Sequence, residues 1–257
     1  MCITDAFLIL TEVLFMKFEN PFSDLSGFEK ALWLVSSGVI VISFFLSGGG
    51  DISSVIASFI GVTALIFVAK GMVLGQILIV IFSVLYGIIS FFSCYYGEVI
   101  TYLGMTAPMA VVTAVSWVRH PYQGTKQVQV NRLNKKQLLI MASASVLVTA
   151  IFYFILRELH TASLLVSTIS ITTSFIASYL TFCRSPYYAV GYAANDLVLI
   201  VLWTLSALEN ISYLPMVLCF LMFFANDLYG FYNWQRMQKN QSAAPCPICT
   251  VQEPLIK

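Results

Sequence analysis

Apolar residues run along this chain in blocks of roughly 17 residues or more, with polar and charged residues collected in the short stretches between them. At about 1.5 Å per helical residue, such a block crosses a hydrocarbon layer of about 30 Å. The pattern predicts eight spanning helices at 31–47, 52–69, 73–95, 99–118, 138–156, 161–182, 188–208 and 211–234. Before them, the apolar run 6–16 is too short to span and is broken by Thr11 and Glu12. It lacks a basic start and a small-residue cleavage site, so it predicts a cytoplasmic interfacial helix over 1–28, ended at Asn20-Pro21, rather than a signal peptide.

Inside the blocks, polar residues repeat on single faces. Gln76, Ser83 and Ser90 lie at heptad spacing with Tyr86 on the same face. A polar stripe on an apolar helix must turn toward protein or water rather than lipid. Ser167, Ser170, Ser174 and Ser178 form a small-residue seam that reads first as a packing face. Tyr192, Asp196 and Trp203 share a face of the seventh block, with Asn195 beside it, and Asn226, Tyr229 and Asn233 align in the eighth. Asn195-Asp196, counted from the start of its block, and Asn226-Asp227, counted back from the end of its block, each lie about 11 to 12 Å in from the same side of the membrane. An ionisable residue at that depth costs at least about 2.5 to 3.5 kcal/mol unless it meets a partner or a water-filled cavity. Gln76, Tyr86, Tyr192, Asn195, Asp196, Trp203, Asn226, Asp227 and Tyr229 are therefore the expected substrate-binding residues. The competing reading for the two aspartates is that they lock helices together.

Composition agrees: 59% of the residues are hydrophobic, 10% are charged and the mean hydropathy is +0.87, which excludes a soluble globular domain. Twelve of the thirteen Lys and Arg fall on one side of an eight-span arrangement, with only Arg157 on the other, while Asp51, Glu98, Glu158 and Glu209 occupy the opposite connections. That predicts a multi-pass protein of the cell membrane with both termini cytoplasmic. A net charge of +1 gives no reason to expect a nucleic-acid partner; a homo-oligomer stays open. No metal or cofactor is expected. Cys246 and Cys249 form a C-x-x-C in a tail, 236–257, expected to be disordered, without the second pair a zinc site needs. His120 and His160 fall on opposite sides and no Ser/His pair appears, so a membrane-embedded hydrolase is the weaker alternative.

A shift of 117 residues superposes Val84-Leu85-Tyr86 on Val201-Leu202-Trp203 and Trp117-Val118-Arg119 on Trp234-Gln235-Arg236. Repeat 1 would be 52–118, repeat 2 would be 161–234, and 138–156 would connect them. An even number of spans separates the copies, so the repeat is parallel, a plan that puts a substrate site where the halves meet.

With Tyr95-Tyr96-Gly97-Glu98, Arg184-Ser185-Pro186-Tyr187-Tyr188, Ala194-Asn195-Asp196, Trp203 and Asn226-Asp227-Leu228-Tyr229-Gly230-Phe231 in place, the chain resembles the PnuC nicotinamide riboside transporter family. The resemblance implies an all-α, three-plus-one-plus-three arrangement like that of the SWEET sugar transporters, here with an extra leading helix. It implies facilitated uptake of an NAD precursor, made unidirectional by intracellular phosphorylation. It also implies that Asn, Gln and aromatic side chains hold the pyridine and ribose; Asn195 and Asn226 match the amide-bearing positions, with Gln76, Tyr86 and Trp203 beside them. The family's Trp-x-Asn-x-x-Trp signature is absent here, since Tyr192, Ala193 and Ala194 precede Asn195. Related branches imply thiamine, riboflavin or deoxynucleosides as alternative solutes.

Overall fold

The computed structural model describes residues 20–46, 52–92, 96–159, 163–209, 211 and 214–243. Most of the interfacial segment, the 48–50 glycine turn, His160 and the cysteines at 246 and 249 lie outside these residues. The described chain is helical, its only β pairings being isolated bridges. Helices α1 (Gly27–Leu46), α2 (Ile52–Ala69) and α3 (Val73–Phe92) are followed by α4, in which Tyr96–Val99, a π-helical stretch Ile100–Thr106 and Ala107–Val118 run on as one rod. Then come α5 (Lys135–Glu158), α6 (Leu164–Phe182), α7 (Tyr188–Glu209) and α8 (Leu214–Ala243). Seven of these are long and apolar enough to cross a membrane, and Val55–Ala69 of α2 is a shorter apolar stretch. The protein is therefore a multi-pass membrane protein. Helix α8 continues past Trp234 to Ala243, so the first part of the segment expected to be disordered is ordered helix. It stays helical because Gln241 is held at both ends of its amide, accepting from Val130 N at 2.8 Å and donating to Val128 O at 3.1 Å.

The wide turn of α4 has a local cause. Pro108 has no N–H and its ring crowds the preceding turn. The chain absorbs this upstream of the proline, where Ala107 N reaches back to Tyr102 O and Thr106 Oγ1 donates to Thr101 O at 3.2 Å.

Two sets of contacts at the basic-loop end follow the same plan. Trp234 Nε1 on α8 donates to Val68 O at the end of α2 at 3.0 Å, and Trp117 Nε1 on α4 donates to Thr181 O at the end of α6 at 3.1 Å. Their neighbours repeat the move: Asn233 Nδ2 to Ala69 O at 2.9 Å, and Ser116 Oγ to Phe182 O at 3.3 Å. The two indoles are fully buried, with ring centroids 5.4 Å apart. After α2, Gly71 turns the chain at φ 69; after α6, Arg184 does so at φ 59. Glycine takes that conformation at no steric cost, while Arg184 is a non-glycine in the left-handed region. The loop between α4 and α5 straps both turns, Val128 N donating to Gly71 O and Asn131 N to Arg184 O, each at 2.9 Å. It then enters α5 through a capping box, Asn134 and Gln137 each accepting from the other's backbone N–H.

Helix α1 leans on α2 and α8. Glu29, 2% exposed, is the anchor: it pairs with Lys70 at 2.9 Å, accepts from Tyr229 Oη at 2.7 Å and accepts from Ser26 N at 2.6 Å. Breaking one side of a buried ion pair costs about 3 to 5 kcal/mol, and less here because Lys70 keeps contact with solvent. Glu29→Gln is expected to destabilise by about 2 kcal/mol in thermal melts, and Lys70→Met is expected to recover part of that loss. Additive losses in the double variant would show that the pair is not coupled.

Candidate functional site

The buried polar groups sort into two neighbourhoods. The first forms between α6, α7 and α8, with α4 alongside. Asn195 Oδ1 accepts from Ser170 Oγ at 3.1 Å and from Thr173 Oγ1 at 2.9 Å, so two α6 hydroxyls fix the amide. Tyr192 Oη and Ser178 Oγ share a hydrogen bond of 3.1 Å. Asp196 and Asp227, both buried, approach within hydrogen-bonding reach of each other across the α7–α8 contact. Asp196 Oδ2 has no hydrogen-bond partner. Tyr102 of α4 is within electrostatic reach of Asp196, Tyr192, Cys219 and Glu98.

Farther along the same helices, aromatic side chains take over. Tyr86 meets Tyr102 with ring centroids 4.4 Å apart and Phe82 at 5.5 Å. Trp203 belongs to the same cluster, with Phe220 and Phe223. Trp203 lies seven residues beyond Asp196 on α7, about 10 Å along the axis. A layer of rings therefore stands over a layer of amide, hydroxyl and carboxyl groups. Gln76 is buried on the same face of α3 as Tyr86, but ten residues nearer the basic-loop end.

The second neighbourhood lies between α8, α1 and α2, and it takes the stripe that the sequence assigned to the substrate. Asn226 Nδ2 donates to Ser36 Oγ of α1 at 3.0 Å and to Met222 O at 2.7 Å, Tyr229 binds Glu29, and Asn233 binds Ala69 O. Asn226 and Tyr229 are thus turned away from Asn195. The reason is angular: successive helical residues differ by about 100°, so α8 cannot aim Asn226 and Asp227 at the same neighbour. Asp227 faces α7, and Asn226 faces the leading helix. A cavity of about 460 Å³ at this α1–α8 junction is lined by Phe28, Tyr229, Tyr232, Asn233 and Arg236, away from the carboxyl pair.

Sequence reasoning passed over Tyr102 and Thr173, placed Glu98 only in a connection between spans, and read the α6 hydroxyls as packing. Glu98 and Tyr102, four apart at the start of a mostly apolar block, were the available signal. Outside the spans, burial pushes the Cys183 thiol up, with Tyr179 and Arg184 partly opposing the shift, and so suppresses its thiolate. Among the described residues no group of three or more His, Cys, Asp or Glu could hold a metal.

A bundle of apolar helices that buries amides, hydroxyls, rings and two neighbouring carboxyl groups is the construction of a membrane transporter for a small polar solute. The comparisons agree. The profile of a family described as nicotinamide mononucleotide transporter matches residues 51–236. The nicotinamide riboside transporter PnuC of Neisseria mucosa (strain ATCC 25996 / DSM 4631 / NCTC 10774 / M26) is 26% identical over 226 residues, covering 86% of each chain. A crystal structure of the vitamin B3 transporter PnuC superposes with a TM-score of 0.75 at 24% identity, over 86% of this chain and 95% of that one, and shares the fold. This chain belongs to the nicotinamide mononucleotide transporter family, whose members are transporters rather than enzymes.

Proposed function

We propose that this protein takes up nicotinamide riboside by facilitated diffusion, with intracellular phosphorylation keeping the gradient inward. The names borne by the comparisons differ by a phosphate, and the charge of the site favours the riboside. A mononucleotide brings about −1.5 to −2 charges on its phosphate, whereas the riboside brings a pyridinium cation and no anion. Asp196 and Asp227 face each other, while every Lys and Arg among the described residues sits in a loop, in an end turn of a helix or, for Arg236 and Lys239, on the stretch of α8 beyond Trp234. Such a site repels a phosphate and suits the cation. Asn195, with its oxygen already held by α6, presents its amide nitrogen to a ribose hydroxyl. Tyr86, Tyr102 and Trp203 supply faces on which a pyridinium gains about 1 to 2 kcal/mol.

The corresponding contacts of Trp117 and Trp234, and of Gly71 and Arg184, support a parallel three-plus-one-plus-three arrangement of eight spans like that of the SWEET transporters. Helix α5 is then the connector and α1 the extra helix, and the basic loop and both termini are cytoplasmic. In proteoliposomes without a pH gradient, labelled nicotinamide riboside is expected to equilibrate saturably, and to accumulate only when a riboside kinase and ATP are enclosed. Unlabelled mononucleotide is expected not to compete; competition equal to that of the riboside would overturn the reading.

A further inference from the structure

Resting on that reading of the site, we infer that Asp196 and Asp227 work as one charge selector, accepting either a monovalent aromatic cation or a proton, so that the two compete. The carboxyl groups are in mutual reach, each only 4% exposed, and Asp196 Oδ2 is left without a hydrogen-bond partner in that buried position. Neighbouring elements bring no positive charge to the pair. Helix α4 contributes Tyr102, with Glu98 behind it; α7 contributes Tyr188 and Tyr192; α8 contributes Cys219. Helix α6 contributes Ser178 and Thr181, whose hydroxyls reach Tyr192, and α2 contributes Ser58, which reaches Cys219. Helix α3 adds the ring of Tyr86 against Tyr102. The charged groups among these are acids only.

Two carboxylates at hydrogen-bonding separation cannot both stay ionised without a counter-charge. In the empty site one proton bridges them. An arriving cation replaces the proton, and the released proton leaves to water. A neutral solute of the same shape gains nothing from the pair.

The test uses the full-length protein in nanodiscs and calorimetry with nicotinamide riboside and its dihydro form, which keeps the ring and ribose but lacks the charge. Wild type is expected to bind the cation at least about tenfold more tightly than the dihydro form. Acidification from roughly pH 8 to roughly pH 5.5 is expected to weaken the cation alone. Buffers of different ionisation enthalpy are expected to reveal proton release on cation binding. In Asp196→Asn and Asp227→Asn, isosteric changes checked by their melting midpoints, the discrimination is expected to fall to about threefold or less and proton release to vanish. Equal binding of the two forms by wild type, a gap that survives both substitutions, or cation binding without proton release would each overturn the selector. If one variant fails to fold, the other variant and the wild-type proton release still decide. If thiamine binds with the same dependence on the pair while neither riboside form binds, the proposed solute is wrong and the selector stands. If both riboside forms bind wild type alike, the solute stands and the selector falls.

Discussion

Replacing Trp234 with alanine is expected to lower the stability of the transporter by about 3 to 5 kcal/mol, the largest loss from any single substitution considered. Its side chain is fully buried, its ring centroid is 5.4 Å from Trp117 and 4.9 Å from Tyr188, and its N–H satisfies Val68 O where α2 ends. In lipid there is little hydrophobic drive between helices, so packing and interhelical hydrogen bonds carry the association. Alanine removes both together and opens a cavity where α8 meets α4 and α7. Trp117→Ala is expected to cost about as much, because that indole is equally buried against Trp234 and makes the matching hydrogen bond, to Thr181 O. Trp234→Phe keeps most of the volume and loses only the donor, about 1 kcal/mol. Tyr232→Ala, on a residue 64% exposed, is expected to cost little. Thermal midpoints in one detergent check the order; a Trp234→Ala midpoint close to that of Tyr232→Ala would mean that this junction does not hold the helices together.

Asn195→Ala is expected to weaken riboside binding by about ten- to a hundredfold, the value of one or two buried hydrogen bonds at about 1 to 2 kcal/mol each, with a much smaller fall in stability. The amide oxygen is engaged by Ser170 and Thr173, so its orientation is set before any solute arrives. Thr173 retains Ile169 O and Ser170 O as acceptors, which limits the structural penalty. Asn226→Ala is the contrast: its amide donates to Ser36 and Met222, so it is expected to loosen α1 and lower the melting point while leaving affinity within about threefold. Calorimetry alongside melting curves separates the two; a larger affinity loss at Asn226 than at Asn195 would reverse the placement of the site.

The same pair shows how far the sequence reaches. Asp196 and Asp227 were legible as candidates because charge at membrane depth is costly enough to need a reason. The face of Gln76, Ser83, Tyr86 and Ser90 was legible too, and all four side chains are buried. The α6 serine seam read as packing because small hydroxyls let helices approach. Ser170 and Ser178 also orient Asn195 and Tyr192, and no spacing rule separates those two uses of a hydroxyl. The two triplets 117 residues apart pointed to a duplication, yet only the folded chain shows Trp117 donating to Thr181 O and Trp234 to Val68 O.

What was legible in the sequence by itself was the set of apolar blocks, the separation of basic from acidic residues between them, the polar face of each helix and the presence of carboxyl groups inside two of the blocks. These follow from a period of 3.6 residues and the cost of placing charge in hydrocarbon, which are properties of one segment at a time. Which helix each face meets was decided by the tertiary structure alone. Asp227 found Asp196 and Asn226 found Ser36 because α8 is wedged between α7 and α1, and the angle at which a helix is held is set by its neighbours rather than by its own residues.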